Sequence, residues 1–390
     1  MIITVLALLF YIAVPGLGAV LVRRRWRRFR TRIIGLTECP TISYGAIERA
    51  ATGYLGRYRI FGALEAIQEG DTIWIYDGDI SVSADLRGVS VYLLPSSGTE
   101  RDGVFERNLE VLPDDAAHQL PWSKVSALPQ GTKMLVSGAL YRERGHALFR
   151  STRDLPLTIV LFDGDERTVL RRAIWSGRQH NEYWNQFTLI SLLAGATLLL
   201  LLAYNFTRIP MLRLPAIYTL IAGSAPLLPF LPPGIGLFFL YRVFWRRARG
   251  RRGERDLLDL PGRLIPPEGT ESTSRSSLPD GELYQRSVVE SLEEARRLAP
   301  TARVRISSTA NPNRAEKYTV FGVPSMDREG LSAPSDPLAE YIIVPGDPRQ
   351  SARSAGSSAR FYEIAALFSF VLGFAANWLL LFSILGSYVP

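Results

Sequence analysis

Cysteine and histidine are nearly missing from this chain. Cys39 is its one thiol, and His118, His146 and His180 are its only imidazoles. A lone thiol excludes an intramolecular disulfide and gives no sign of an oxidising compartment. So few ligands also exclude zinc modules that take their ligands from sets of cysteines and histidines. The chain lacks a Gly-x-x-x-x-Gly-Lys-Ser/Thr phosphate loop, a Gly-x-Ser-x-Gly nucleophile elbow and a His-Glu-x-x-His zinc helix. The three histidines lie far apart and are expected in structural roles. No catalytic, cofactor-binding or metal-ligating residue is predicted.

Charge is the next absence. Residues 2–22, 187–204, 214–241 and 364–389 contain no Asp, Glu, Lys or Arg, and a helix needs about 20 apolar residues to cross a hydrocarbon core of ~30 Å. The expected fold is membrane α-helical with α+β soluble parts. About four transmembrane helices are placed at 1–22, 187–205, 214–241 and 361–389. Pro226, Pro229, Pro232 and Pro233 remove backbone donors from the third span, which predicts a kink or a break. Ionisable residues inside a membrane usually mark ion or proton pathways. These cores have none; Glu363 lies at an edge, and Asn377, the most polar core side chain, is expected to hydrogen-bond between helices.

The charge that is present is concentrated. Seven arginines fall in 23–32 and seven in 242–255, and removing those fourteen from the formal net charge of +8 leaves −6. Both clusters directly follow an apolar span, where basic residues set topology and meet anionic headgroups. This placement argues against nucleic acid as a partner. The candidate headgroup and topology residues are Arg23, Arg24, Arg25, Trp26, Arg27 and Arg28 in the first collar, with Arg242, Trp245, Arg246, Arg247 and Arg249 in the second. Asn181, Glu182, Tyr183 and Trp184 form an interfacial cluster before the second span.

An apolar start followed by basic residues is the reverse of a secretory signal, so the first span is expected to stay as an anchor. The positive-inside rule puts residue 23 in the cytoplasm and the N-terminus outside. The later basic flanks agree, predicting an N-out, C-out protein of a bacterial plasma membrane with both soluble domains, 33–180 and 256–360, in the cytoplasm.

The two halves echo each other. Pro15-Gly16-Leu17-Gly18 precedes Arg23-x-x-Trp26-Arg27-Arg28-x-Arg30-x-Arg32, and Pro233-Gly234-Ile235-Gly236 precedes Arg242-x-x-Trp245-Arg246-Arg247-x-Arg249-x-Arg251. Residues 158–165 echo 341–347, and 57–62 echo 317–322. A tandem duplication with both copies in one orientation is expected, unlike the inverted repeats of many transporters.

The first domain reads as short strands at 58–64, 72–76, 88–94, 133–141 and 156–162, a spacing that predicts a small barrel or sandwich. Helices are expected at 42–52 and 165–174. Asp77-Gly78-Asp79 and Asp163-Gly164-Asp165 are read as tight turns in preference to metal motifs. In the second domain, 266–279 and 345–358 read as flexible linkers. A helix from about residue 280 through 298 is expected, with Leu283, Val288, Leu292 and Ala295 on one face. Strands follow at 303–308, 318–323 and 340–344. A core this small is expected to lean on the first domain or on the membrane.

Leu128-Pro129-x-Gly131-Thr132, then Val136-x-Gly138 and Pro156-Leu157, resembles the GIDE/MULAN β domain of mitochondrial membrane-anchored ubiquitin ligases, over about residues 1–205. The resemblance implies a strand-rich domain between two transmembrane helices. The family's ligase activity needs a zinc-binding RING after the second helix, and this chain lacks the eight Cys/His ligands. The resemblance therefore implies a membrane-tethered binding domain without ligase activity. The expected function is a multi-pass scaffold or binding protein for a protein partner or lipid headgroups. A channel or transporter formed by the four helices, and a membrane-associated enzyme, are the alternatives.

Overall fold

The structure is a computed structural model describing residues 1–49, 51–68, 71–96, 115–143, 145–265, 273–305, 317–325 and 330–387. The chain divides into two compact units. One comprises Met1–Arg28, His180–Arg252 and Gly356–Pro390; the other comprises Phe29–Gln179 and Gly253–Ala355.

The first unit is helical. Four elements are long and apolar enough to cross a membrane: Ile2–Ile34, Gln186–Thr207, Pro210–Phe230 and Pro348–Leu385. Their large apolar side chains face outward, with Ile190 67% and Phe368 66% exposed. Such surface has lipid as its natural solvent, so the protein is integral to a membrane.

The third span is broken where the prolines fall. Helix Arg213–Ser224 passes into a 3-10 segment, Ala225–Phe230, and a new helix, Gly234–Asp259, starts after Pro232-Pro233. The expected span 214–241 thus consists of two helices. At this helix break Asn377 of the last helix adds a second bond to two carbonyls: its buried Nδ2 donates to Leu228 O (2.5 Å) and Leu231 O (2.8 Å). Replacing Asn377 by Leu removes both bonds and leaves each oxygen only its backbone donor, Leu231 N (3.2 Å) for Leu228 and Ile235 N (3.0 Å) for Leu231. The expected cost is about 1–2 kcal/mol, read as a lower Tm of the detergent-solubilised protein. A Cβ at Gly234 would overlap the same amide, so Gly234→Ala should lower the Tm too. An unchanged Tm in both variants contradicts this role.

The second unit holds two β-sheets. In the first, the strands are β1 (Gly53–Gln68), β2 (Thr72–Tyr76), β3 (Ser81–Asp85), β4 (Val91–Leu93), β5 (His118–Leu120), β6 (Lys133–Glu143), β7 (His146–Arg150) and β8 (Thr158–Leu161). β1 pairs with both β2 and β6, and the path β1-β2-β3-β7-β6 returns to β1, closing a five-stranded barrel. β6 also carries β8, which extends the sheet to β4 and β5. Ile60, Ile75, Val82, Val136, Phe149 and Ile159 fill the interior. Three of the strands, β3, β5 and β7, are absent from the sequence reading.

The second sheet contains β9 (Thr273–Ser277), β10 (Leu283–Val289), β11 (Arg303–Val304), β12 (Tyr318–Pro324), β13 (Leu331–Ser332) and β14 (Ile342–Pro345). It is covered on both faces. Tyr284, Phe321, Ile342 and Val344 pack with Leu258, Ile265 and Ala352, while Val320 and Ile343 pack with Ala295 and Ala299.

This sheet repeats the pairings of the first. β6 is antiparallel to β1, β7 and β8, and β8 is parallel to β4; likewise β12 is antiparallel to β10, β13 and β14, and β14 is parallel to β11. The registers coincide. Val136 faces Ile159, which faces Val91; Val320 faces Ile343, which faces Val304. Three residues on, Ala139 faces Arg150 and Val323 faces Ser332. Gly138 and Gly322 coincide as well: a Cβ on Gly138 would lie 2.8 Å from Leu157, and one on Gly322 would lie 3.0 Å from Tyr341. Residues 317–322 therefore correspond to 133–138 by strand pairing, and not to 57–62 as their sequence echo had it.

Other expectations are corrected. The helix expected from about 280 to 298 is a strand, β10, followed by a short helix, Leu292–Leu298. Leu-Tyr-Gln-Arg-Ser-Val-Val favours a strand through its aromatic and β-branched residues, and the Ser291 side chain caps the helix by accepting from Glu294 N (3.1 Å). Leu283 is 52% exposed, not on an apolar helix face. Of the linker expected at 266–279, Thr273–Ser277 form an edge strand, and 266–272 lie outside the described residues. The linker expected at 345–358 is mostly helical, from Pro348 onward. Its alanines drive this: Ala352 and Ala355 are buried in a region that composition alone marks as loose. The end of the strand expected at 303–308 lies outside the described residues, as does the end of the fourth span beyond Ser387.

Candidate ligand site and arginine collars

A cavity of about 470 Å³ opens in the β-sheet unit. Thr31, Arg32 and Ile34, at the end of helix Val14–Ile34, form one wall, continued by Gly35 to Glu38. Arg57 from β1 and Ser137 from β6 form the floor. Asp154, Leu155, Pro156 and Thr158 line the approach to β8, and Arg263 and Leu264 complete the rim. The turn after Ile34 is held locally: Thr37 Oγ1 donates to Ile34 O (2.8 Å), and Cys39 Sγ to Gly35 O (3.3 Å). Burial, the largest influence, pushes the Cys39 thiol pKa up, which keeps it protonated and poorly nucleophilic.

Three guanidiniums and two carboxylates line this space. Arg263 is tied to Asp259 (3.0 Å). Arg32 and Arg57 are half-buried and make no hydrogen bond or ion pair among the described residues. Ser137 Oγ donates to Tyr58 O (3.0 Å), fixing the floor beside Arg57. The site can offer forked N–H donors and positive charge to a ligand of a few hundred Å³, within the usual range for small-molecule sites.

The collar residues divide into two groups. Arg24, Arg25, Arg27, Arg28, Arg242, Arg246 and Arg247 are exposed, with no ion pair among the described residues. Arg249 is half-buried. Arg23 instead pairs with Glu182 (2.6 Å), Trp26 is buried and stacks on His180 at 3.6 Å, and Trp245 meets Tyr183 at 5.3 Å. Arg252 pairs with Glu363. Each collar region is thus tied to a glutamate at the start of the following span. Of the interfacial cluster, Asn181, Tyr183 and Trp184 are exposed, but Glu182 is turned inward to Arg23.

The paired Asp-Gly-Asp motifs sit in turns. Asp77 Oδ1 accepts from Asp79 N (2.9 Å) and Ile80 N (2.8 Å) around Gly78 at φ +110°. Asp163 pairs with Arg172, and Asp165 accepts from Arg167 N (3.0 Å). His118 is exposed on β5, and His146 meets Trp74 edge-on at 5.8 Å.

Sequence reasoning missed two buried ion pairs. Arg59 of β1, with no exposed surface, reaches Asp336 (2.6 Å) and Asp280 (3.7 Å) beside the second sheet. Arg305 makes a bidentate pair with Glu340 (2.6 and 2.7 Å). The one available signal was a charged residue inside an apolar strand, as in Tyr58-Arg59-Ile60-Phe61. No family model matches the chain, and no curated protein or solved structure matches it.

Proposed function

We propose that the protein is a membrane-anchored binding module, without catalytic activity, whose paired β-sheets engage a ligand or partner at the cytoplasmic face of a bacterial plasma membrane. The observation that carries this reading is the cavity lined by Arg32, Arg57 and Arg263, two of whose guanidiniums have no ion pair among the described residues. The exposed collar arginines supply the second part of it. Each can contribute about 1 kcal/mol against an anionic leaflet, and their number sets the first and third spans running inward. The repeated register of the two sheets supports a tandem duplication, and the strand-rich domain between two spans is compatible with a GIDE/MULAN-type β domain lacking the RING.

The test is topology. A cysteine introduced at the exposed Arg87, in a Cys39→Ser background, should be shielded from a membrane-impermeant maleimide in intact cells and labelled after permeabilisation. Labelling in intact cells would overturn the cytoplasmic placement. A channel or transporter is the second reading, and the broken third span favours it. Solute flux through reconstituted protein that Pro229→Ala abolishes would promote it.

A further inference from the structure

We propose that the cavity beside Gly35 is a phosphate-ester site, taking a phosphate group whose organic part carries hydroxyl or amino donors. The proposal rests on the binding-module reading and names the ligand class of that site.

The argument begins with charge. Arg32 and Arg57 are half-buried in a cavity wall with no hydrogen bond or ion pair among the described residues. A guanidinium withdrawn from water loses hydration, and an anion that accepts from its fork restores it. They come from separate parts of the chain, the end of the first helix and β1, and a third guanidinium, Arg263, lines the same space. Several guanidiniums around one cavity suit an anion with three or four acceptor oxygens better than a carboxylate with two.

Size and the remaining lining define the rest of the ligand. About 470 Å³ is much more than a bare phosphate needs, so an attached organic group is expected. Leu155 and Pro156 offer it an apolar wall, while Glu38 and Asp154 offer acceptors to hydroxyl or ammonium groups. A glycerophosphate fits this description. It is available either as a phospholipid headgroup or as a free phosphate ester, and the chemistry recognised is the same.

The experiment uses the full chain in a maltoside detergent, titrated by calorimetry with glycerol 3-phosphate, inorganic phosphate and glycerate. Glycerol 3-phosphate should bind saturably and more tightly than inorganic phosphate. Arg57→Ala should weaken it at least tenfold, Arg32→Ala similarly, and Arg57→Lys should restore part of the loss. The variant Lys124→Ala, at an exposed cation outside the cavity and the collars, should leave it unchanged. Thermal melting of each variant separates lost binding from lost folding.

Competition then assigns the source. If nanodiscs containing phosphatidylglycerol, but not phosphatidylcholine alone, suppress glycerol 3-phosphate binding, the headgroup is the ligand. If both leave it intact, a free ester is. Absence of saturable binding by folded protein, glycerate binding as tightly as the phosphate ester, or a folded Arg57→Ala that binds normally would each overturn the proposal. The cytoplasmic placement is tested independently by the maleimide experiment and survives that result.

Discussion

Replacing Arg59 by methionine is expected to destabilise the β-sheet unit by about 3–5 kcal/mol, the usual cost of breaking a buried ion pair from one side. Arg59 has no exposed surface. Its Nη1 donates to Leu36 O (2.7 Å), its Nε to Thr41 Oγ1 (3.4 Å), and its Nη2 pairs with Asp336 at 2.6 Å. Asp336 is itself buried, with Oδ1 accepting from Leu338 N (2.8 Å). Methionine fills much of the volume but leaves that carboxylate without its counter-charge. Asp280 reinforces the contact, since its carboxylate accepts from Thr41 N (3.1 Å). Chemical denaturation of the solubilised full chain measures the loss. Asp336→Asn should cost a comparable amount, and the double variant Arg59→Met/Asp336→Leu should recover most of it, because two apolar groups replace two paired charges. A loss below about 1 kcal/mol in Arg59→Met would show that the pair does little to join the two sheets.

Glu340→Gln is expected to have an effect of the same size, about 3–5 kcal/mol, for a different reason. Glu340 holds Arg305 through two bonds, and Arg305 Nη1 also donates to Leu257 O (2.9 Å). Arg171 lies in the same field. Burial, then repulsion from Arg303 and Arg305, push its guanidinium pKa down to about 9, with Glu340 acting against them. Glu340 is therefore the counter-charge for more than one cation in a poorly solvated place. Glutamine keeps the shape and removes the charge, so a melting experiment on the full chain reads the electrostatic part alone. Arg305→Met combined with Glu340→Gln should be milder than Glu340→Gln by itself. Equal losses in the single and double variants would mean that packing, not charge, dominates there.

The sequence was most informative where one physical signal acts along the chain. Uncharged runs of membrane length need no distant partner to be read, and each of the four apolar segments overlaps a helix long and apolar enough to cross a membrane. Prolines act on their own backbone, so the break in the third span was legible from Pro226 to Pro233. The strand Thr72–Tyr76 was read to the residue because alternating apolar positions and a following Asp-Gly turn mark it on both sides. By contrast β3, Ser-Val-Ser-Ala-Asp, has little strand propensity; it is held by pairing with β2 and, in parallel, with β7. The stretch from Leu283 to Val289 carries apolar residues at spacings that fit a helix, and its ladder with β9 and β12 adds to its β propensity to decide for a strand.

The candidate site was legible in its parts and not as a site. Arg32 belonged to an obvious collar, Arg57 to an obvious strand and Arg263 to no pattern at all. What brings them around one cavity is the turn after Ile34 and the approach to β8, segments far apart in sequence. By itself, then, the sequence determined the membrane spans, their break and the arginine collars, because hydrophobicity, proline geometry and charge are local properties. The tertiary structure alone decided the closure of the barrel, the matched registers of the two sheets, the Arg59 and Arg305 pairs and the cavity. Each depends on non-local pairing, in which a residue's partner is chosen by the strand or turn that folding sets beside it.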